Sequence, residues 1–272
     1  MPEGPEIRRA ADALARVLVG RPLVRVDYRV PRLARKSRAL ADARVVRVYP
    51  RGKALLIEYD RGLTHYSHNQ LYGQWRVTRR TAVAGDPRQV RVVLATATHV
   101  ATLYSATDID LLDAVALARH PFLCKLGPDI LDRGTTAAML RDRLADPRFA
   151  RAALASLLLD QRFVAGLGNY LRSEILFAAR LPPAARPRDL DPQGRARLAQ
   201  AMARLARQSY RTGGVTNDLD RARQARRDGV PFDDYRFLVY GRAGAPCYTC
   251  GTPIVRADAG GRGLFRCRVC QP

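Results

Sequence analysis

Hydrophobic and polar positions change period twice along the chain. Between residues 5 and 19, Ile7, Ala11, Leu14 and Leu18 recur at helical spacing, with Pro5 suited to the first turn and Gly20 to the stop. A helix is predicted there. From Val24 the period drops to two: Val24, Val26, Tyr28 and Val30 alternate with Arg25, Asp27 and Arg29, the pattern of a half-buried strand. Further strand-like runs cover 44–49, 54–59, 74–79, 89–96 and 99–104, the first two joined by the turn Pro50-Arg51-Gly52-Lys53. Repeated short strands predict a β-sandwich or barrel fronted by the first helix. Residues 129–136 read as a linker ending in a Thr135 or Thr136 cap. From there to about Arg211 the period is helical again, interrupted at Asp146-Pro147 and Pro182-Pro183. Residues 212–234 are polar and contain glycine, so a loop or linker is expected. From about Phe237 the chain reads as a small separate module. The expected organisation is α+β and multidomain: an N-terminal β-sandwich with its helix at 1–130, a helical domain at 131–236, and a terminal module at 237–272.

Charge narrows the partner. Lys+Arg total 47 against Asp+Glu 25, a formal net charge of +22 over 272 residues. That excess points to a polyanion, with nucleic acid ahead of an anionic membrane surface. The longest apolar stretch, 152–159, is far too short to span a bilayer, and no basic amphipathic anchor or secretory signal precedes the pattern. Lys36, Lys53 and Lys125 are the only lysines among those 47 cations. Because an ammonium, unlike a guanidinium, can release a proton, a lysine in such a chain marks a position worth inspecting.

Four of the five cysteines form two knuckles, Cys247-Tyr-Thr-Cys250 and Cys267-Arg-Val-Cys270, sixteen residues apart. This spacing matches a four-cysteine structural zinc site and a reducing, cytoplasmic setting, with no position left open for water. Binding of one Zn2+ to such a site is worth on the order of 10–16 kcal/mol, enough to fold a module this small. Gly260-Gly261-Arg262-Gly263 between the knuckles reads as a hairpin tip, where Arg262 is either solvated or a phosphate ligand. Gly166-Leu-Gly168-Asn169 lies between two helical patterns, and Asn169 is suited to cap the second, where amides next to glycines make an anion pocket. His68-Asn-Gln-Leu-Tyr-Gly73 is either a surface hairpin or a polar–apolar–aromatic wedge for a base stack. His65, His68, His99 and His120 show no ligand spacing, and with Cys124 they read as structural or solvated. At the N-terminus, Pro2 and Glu3 open the first helix. After loss of Met1, Pro2 would be a free secondary amine beside carboxylates. Taken alone, these residues read first as an ordinary helix start, which favours Pro and acids.

In order, MPEGPEI, RGKALL, HNQLYG, LGPDIL, VAGLGNYLRSEIL and the two knuckles resemble the bacterial formamidopyrimidine-DNA glycosylase/endonuclease VIII family, from residue 2 to residue 271. PEGPEI and the QLYG loop resemble the endonuclease VIII branch. The resemblance implies a helix–two-turn–helix in the middle segment, a zinc ribbon at the end and DNA bound between the domains. It implies a bifunctional glycosylase and lyase that removes oxidised pyrimidines from damaged duplex DNA by β,δ-elimination. It assigns Pro2 as nucleophile, Glu3 as proton donor and shuttle, and Lys53 as phosphate contact and proton-transfer aid. Asn169 and Arg262 become phosphate clamps, and Gln70, Leu71 and Tyr72 fill the space of an everted base. Asp129 and Glu174 fall in family motifs without an assigned role, and Glu6 ranks below Glu3. A monomer with one structural Zn2+, no small-molecule cofactor and a nucleoid location is expected. Two alternatives remain: the same chemistry on oxidised purines, or a non-catalytic zinc-ribbon nucleic-acid-binding protein.

Overall fold

The structure is a computed structural model that describes residues 2–80 and 89–272. The expected removal of Met1 lies outside the described residues. Contacts divide the chain into two compact units, Met1–Lys125 and Leu126–Pro272.

The first unit begins with α1 (Gly4–Leu18), which buries Ile7, Ala11, Leu14 and Leu18, the stripe its sequence predicts. Two four-stranded antiparallel sheets follow. One has the order β1 (Arg25–Tyr28), β6 (Val90–Ala95), β7 (His99–Tyr104), β5 (Gln74–Arg79). The other runs β2 (Val45–Arg51), β3 (Ala54–Tyr59), β4 (Thr64–His68), β8 (Asp108–Leu112). Helix α1 packs on β2 and β3. Its apolar face joins Leu55, Ile57, Trp75, Leu94, Leu103 and Leu111 in one core fed by both sheets. Short helices α2 (Ala34–Ser37) and α3 (Ala114–Ala118) flank the strands.

Strands β4 and β8 go beyond the strand runs expected from periodicity. β4 reads Thr-His-Tyr-Ser-His, a polar string, yet Thr64 to Ser67 are all buried. It lies between β3 and β8, and several of its polar groups find partners inside: Tyr28 Oη lies 2.9 Å from His65 Nδ1 and the Tyr66 hydroxyl donates to Asp108 at 3.1 Å, while His65 Nε2 is buried without a hydrogen-bond partner. Burial pushes the His65 imidazole down to about 3, so it is neutral in the folded unit.

The second unit packs α4 (Ala137–Leu144), α5 (Leu154–Leu157), α6 (Asn169–Ala179) and α7 (Pro192–Thr212) around Leu140, Leu154, Phe163, Leu171, Ile175 and Met202. Residues 212–234, expected as a loop or linker, instead carry α8 (Leu219–Arg227) and α9 (Phe232–Tyr235). The Asp218 carboxylate accepts from the Arg221 N–H and starts α8, while Ala222, Val215 and Tyr235 form a small apolar cluster beneath it. Periodicity missed this helix because one buried alanine in Leu-Asp-Arg-Ala-Arg-Gln-Ala-Arg-Arg leaves almost no apolar stripe. A two-stranded ribbon, β9 (Val255–Ala259) with β10 (Arg262–Arg266), ends the unit and packs on α6. Gly260 and Gly261 both have positive φ, the two-residue hairpin turn that the glycine pair predicts. Among the described residues, no helix is long and apolar enough to cross a membrane.

Candidate catalytic and nucleic-acid-binding site

Pro2 sits immediately before Glu3, the N-cap residue of α1, and Glu3 is only 3% exposed. The first turn is closed reciprocally. The Glu6 carboxylate accepts from the Glu3 N–H at 2.9 Å, and the Glu3 carboxylate accepts from the Glu6 N–H. This capping box gives Glu6 a structural task and holds the Glu3 carboxyl at the positive end of the helix. The Val19–Val45 bridge fixes the far end of α1 to the start of β2. Helix α1 packs chiefly on β2, the strand that leads into the turn after Arg51. That turn carries Lys53, which is buried.

Strand β4 pairs with β3 so that Ala54 faces His68, and with β8 so that His68 faces Asp108. His68 is thus paired across the sheet with Asp108 on one side and with the residue after Lys53 on the other. Burial lowers its pKa, Asp108 opposes that and Lys53 adds to it. Just past His68, the Gln70–Tyr72 loop presents Leu71 at 54% and Tyr72 at 76% exposure. These are two of the exposed large hydrophobic side chains among the described residues, adjacent on one closed turn. The Gly73 N–H donates to the Asn69 carbonyl at 2.7 Å and closes the turn. A Cβ at Gly73 would fall 2.5 Å from that oxygen, so no other residue fits.

In the second unit the expected cap of α6 is corrected. Gly168 is the N-cap and Asn169 is the first helical residue. The Asn169 side chain is turned outward from the helix end and donates through Nδ2 to the Gly263 carbonyl at 2.9 Å, next to the exposed Arg262. Asn169 and the Arg262 hairpin tip are thus brought together across more than ninety residues of sequence. A residue without a predicted role makes this possible. Arg172, 0% exposed, donates to Asn169 Oδ1 at 2.6 Å, to the Ala155 and Ala259 carbonyls at 3.2 Å each, and to the Arg262 carbonyl at 3.4 Å. Its signal in the sequence is a guanidinium within a largely buried helix, hidden by an arginine-rich composition.

Glu174, also 0% exposed, accepts from Thr216 Oγ1 at 2.5 Å and from the Leu238, Val239 and Tyr240 N–H groups at 2.7, 2.8 and 2.9 Å. Burial pushes its pKa up, against those four donors. Its place is structural, tying α6 to the segment leading into the ribbon. Asp129 likewise closes a turn, accepting from the Leu131 N–H at 2.9 Å.

The four cysteines converge with their sulfurs all within 4.8 Å of one another. Cys247 and Cys270 Sγ lie 3.9 Å apart, and Cys250 and Cys267 Sγ 3.4 Å apart. A tetrahedral centre with metal–sulfur bonds of about 2.3 Å needs sulfurs roughly 3.8 Å apart. The donor set therefore fits one metal ion. Backbone N–H groups of Thr249 and Cys270 point at Cys247 and Cys267 Sγ, as in thiolate knuckles.

Residues 1–109 match the formamidopyrimidine-DNA glycosylase N-terminal domain, and residues 126–220 match the formamidopyrimidine-DNA glycosylase H2TH domain. Proteins named Endonuclease 8 from Klebsiella pneumoniae and from Escherichia coli O17:K52:H18 are each 43% identical over 271 residues, covering 100% of both chains. The crystal structure of MutM (Fpg) from Thermus thermophilus is 30% identical, with a TM-score of 0.79 over 99% of this chain and 98% of that one. Lactococcus lactis Fpg bound to DNA containing an AP site shares the fold at 22% identity, with a TM-score of 0.79 over 99% of both chains. The chain belongs to the formamidopyrimidine-DNA glycosylase/endonuclease VIII family of DNA glycosylase/AP lyases.

Proposed function

We propose that this protein is a base-excision-repair enzyme that removes oxidised pyrimidines from damaged duplex DNA and then cleaves the strand. The observation that carries the reading is the buried Glu3 beside Pro2 at the capped start of α1, in a chain whose full-length relatives are Endonuclease 8 proteins. Pro2, freed of Met1, is the nucleophile. An α-amino group has a pKa near 8, so roughly a tenth is neutral at pH 7, and the positive end of α1 enlarges that fraction. The nitrogen lone pair attacks C1′ of the damaged nucleotide, and Glu3 delivers a proton as the sugar ring opens. The Pro2 nitrogen gives up its N–H proton and its lone pair expels the base, which leaves with the glycosidic electrons and takes up a proton. Because Pro2 is a secondary amine, the resulting iminium has no N–H to lose and stays cationic. It draws electrons from C2′ after proton loss, which expels the 3′ phosphate. A second elimination expels the 5′ phosphate.

Lys53 contacts phosphate and assists proton transfer, and Asn169 with Arg262 clamps phosphate oxygens. Gln70, Leu71 and Tyr72 occupy the space left by the everted base, offsetting part of an unstacking cost of a few kcal/mol. One Zn2+ held by Cys247, Cys250, Cys267 and Cys270 is structural: it fixes the ribbon that carries Arg262 and takes no part in the chemistry. The second unit divides near residue 236 into a helical DNA-binding module and this ribbon.

Borohydride trapping tests the reading. With Met1-free protein and duplexes carrying thymine glycol, a covalent protein–DNA adduct is expected, and Pro2→Gly loses most of it. No adduct from the unaltered protein would favour a non-catalytic binder. Faster single-turnover excision of 8-oxoguanine than of thymine glycol would move the substrate to oxidised purines.

A further inference from the structure

The Gln70–Tyr72 loop is braced from a second element. Gln70 adopts a left-handed backbone with φ of 49°, a conformation uncommon for any residue but glycine. Two contacts hold it there. Its N–H donates to His68 Nδ1 at 3.2 Å, and its side-chain Oε1 accepts from Thr107 Oγ1 at 2.6 Å. Thr107 lies on the turn between β7 and β8, one residue before Asp108. The ladder between β4 and β8 ends at the pair His68 and Asp108. The Gln70–Thr107 bond therefore extends that ladder by one side-chain rung. Under the rung, a Cβ at Gly73 would sit 3.0 Å from the Ala106 Cβ, so the loop rests directly on this turn.

In this bond the Gln70 carboxamide oxygen is the acceptor, so Thr107 holds that end of the side chain. The amino group of Gln70 is left as the end not engaged by the turn.

We infer that Thr107 is a positioning residue for the wedge loop: its hydroxyl fixes the Gln70 carboxamide with Nε2 available to donate to the base opposite the lesion. This rests on the proposed wedge role of Gln70 to Tyr72. A side chain already held in one orientation loses less freedom when the loop enters the stack, so the bond favours insertion. Thr107 is exposed, so Thr107→Val removes the hydroxyl with little consequence for folding.

The test uses the full chain and a thymine glycol duplex with 2-aminopurine opposite the lesion, whose fluorescence reports displacement of that base. For Thr107→Val, KM on the duplex is expected to rise about fivefold to tenfold, the scale of one neutral hydrogen bond, with kcat changing less. The stopped-flow amplitude of 2-aminopurine should fall in parallel, and Thr107→Ser, which keeps the hydroxyl, should restore both. Thr107→Val indistinguishable from the unaltered protein, or Thr107→Ser as impaired as Thr107→Val, overturns the inference. Gln70→Ala separates the two levels. If it leaves the 2-aminopurine signal intact, the wedge reading and the inference fall together. If it lowers the signal while Thr107→Val does not, only the role of Thr107 falls.

Discussion

At the scale of single residues, Glu3 and His65 show two opposite uses of burial. Glu3 is buried at a helix end, where the helix supplies positive potential and the Glu6 N–H a donor. On the proposed mechanism, Glu3→Gln keeps an acceptor for the cap and removes the proton donor. Base excision should slow by about 10²- to 10⁴-fold, the range of a positioned general acid. Strand cleavage at a pre-formed abasic site should slow less, and single-turnover assays on the two substrates would separate the steps. His65 is buried without compensation for charge. Its pKa falls from 6.5 unfolded to about 3 folded, so below pH 6.5 the unfolded chain takes a proton that the folded unit refuses. Stability is therefore fully present above pH 6.5 and is lost progressively as pH falls toward 3, at up to about 1.4 kcal/mol per pH unit from this group. Urea midpoints measured across that window should show the slope, and His65→Phe should flatten it. The Glu3 cap was legible in the sequence because its partner Glu6 is three residues away, and the cysteines because two C-x-x-C pairs form a recognisable spacing even though their closest sulfurs join different knuckles. Arg172 and His65 were not, since their partners at Ala155, Ala259, Arg262 and Tyr28 come from distant segments.

Among the elements, α6 shows how a helix end becomes a candidate ligand site. Its N-terminus carries Asn169, its first turn ends on Arg172, and both reach the ribbon hairpin. Arg172→Met keeps much of the volume but drops every one of those bonds. Affinity for lesion DNA is expected to weaken about tenfold or more, since several buried carbonyls and the Asn169 side chain lose a charged donor. Equal affinity of the two proteins in a titration with labelled duplex would show that the hairpin tip does not need this anchor. Periodicity found α1 and the long α7 because each buries a regular stripe, whereas α6 is buried nearly all round and was marked by the glycine turn before it. β4 escaped because both its faces are covered, so polar side chains replace alternation. α8 escaped because its caps and one alanine hold it, with guanidiniums facing solvent.

For the whole molecule, the net charge of +22 and the cysteine cluster set the conditions of binding. DNA affinity should fall with salt at a log–log slope of about −0.9 per phosphate neutralised. A slope near zero would remove the basic surface as the footprint. Chelation should abolish DNA binding while leaving the first unit folded, because the four sulfurs and that unit share no core. Circular dichroism and a binding titration on the same chelated sample would test both halves. Fold class was readable from period and spacing alone. The ordered motifs narrowed it to a family, and the lesion chosen by the enzyme is decided by contacts that a linear pattern does not encode.

The capping box at the start of α1 has one more consequence. Chain ends ordinarily fray at a cost near zero, and here the end that would fray carries the proposed nucleophile. The reciprocal bonds of Glu3 and Glu6 are worth about 1 kcal/mol, small against the whole unit but large against one helical turn. Heat should therefore silence the enzyme before it melts it. In a Glu6→Ala protein the temperature of half-inactivation should drop well below that of unfolding, and the gap between them would measure how tightly α1 grips its first turn.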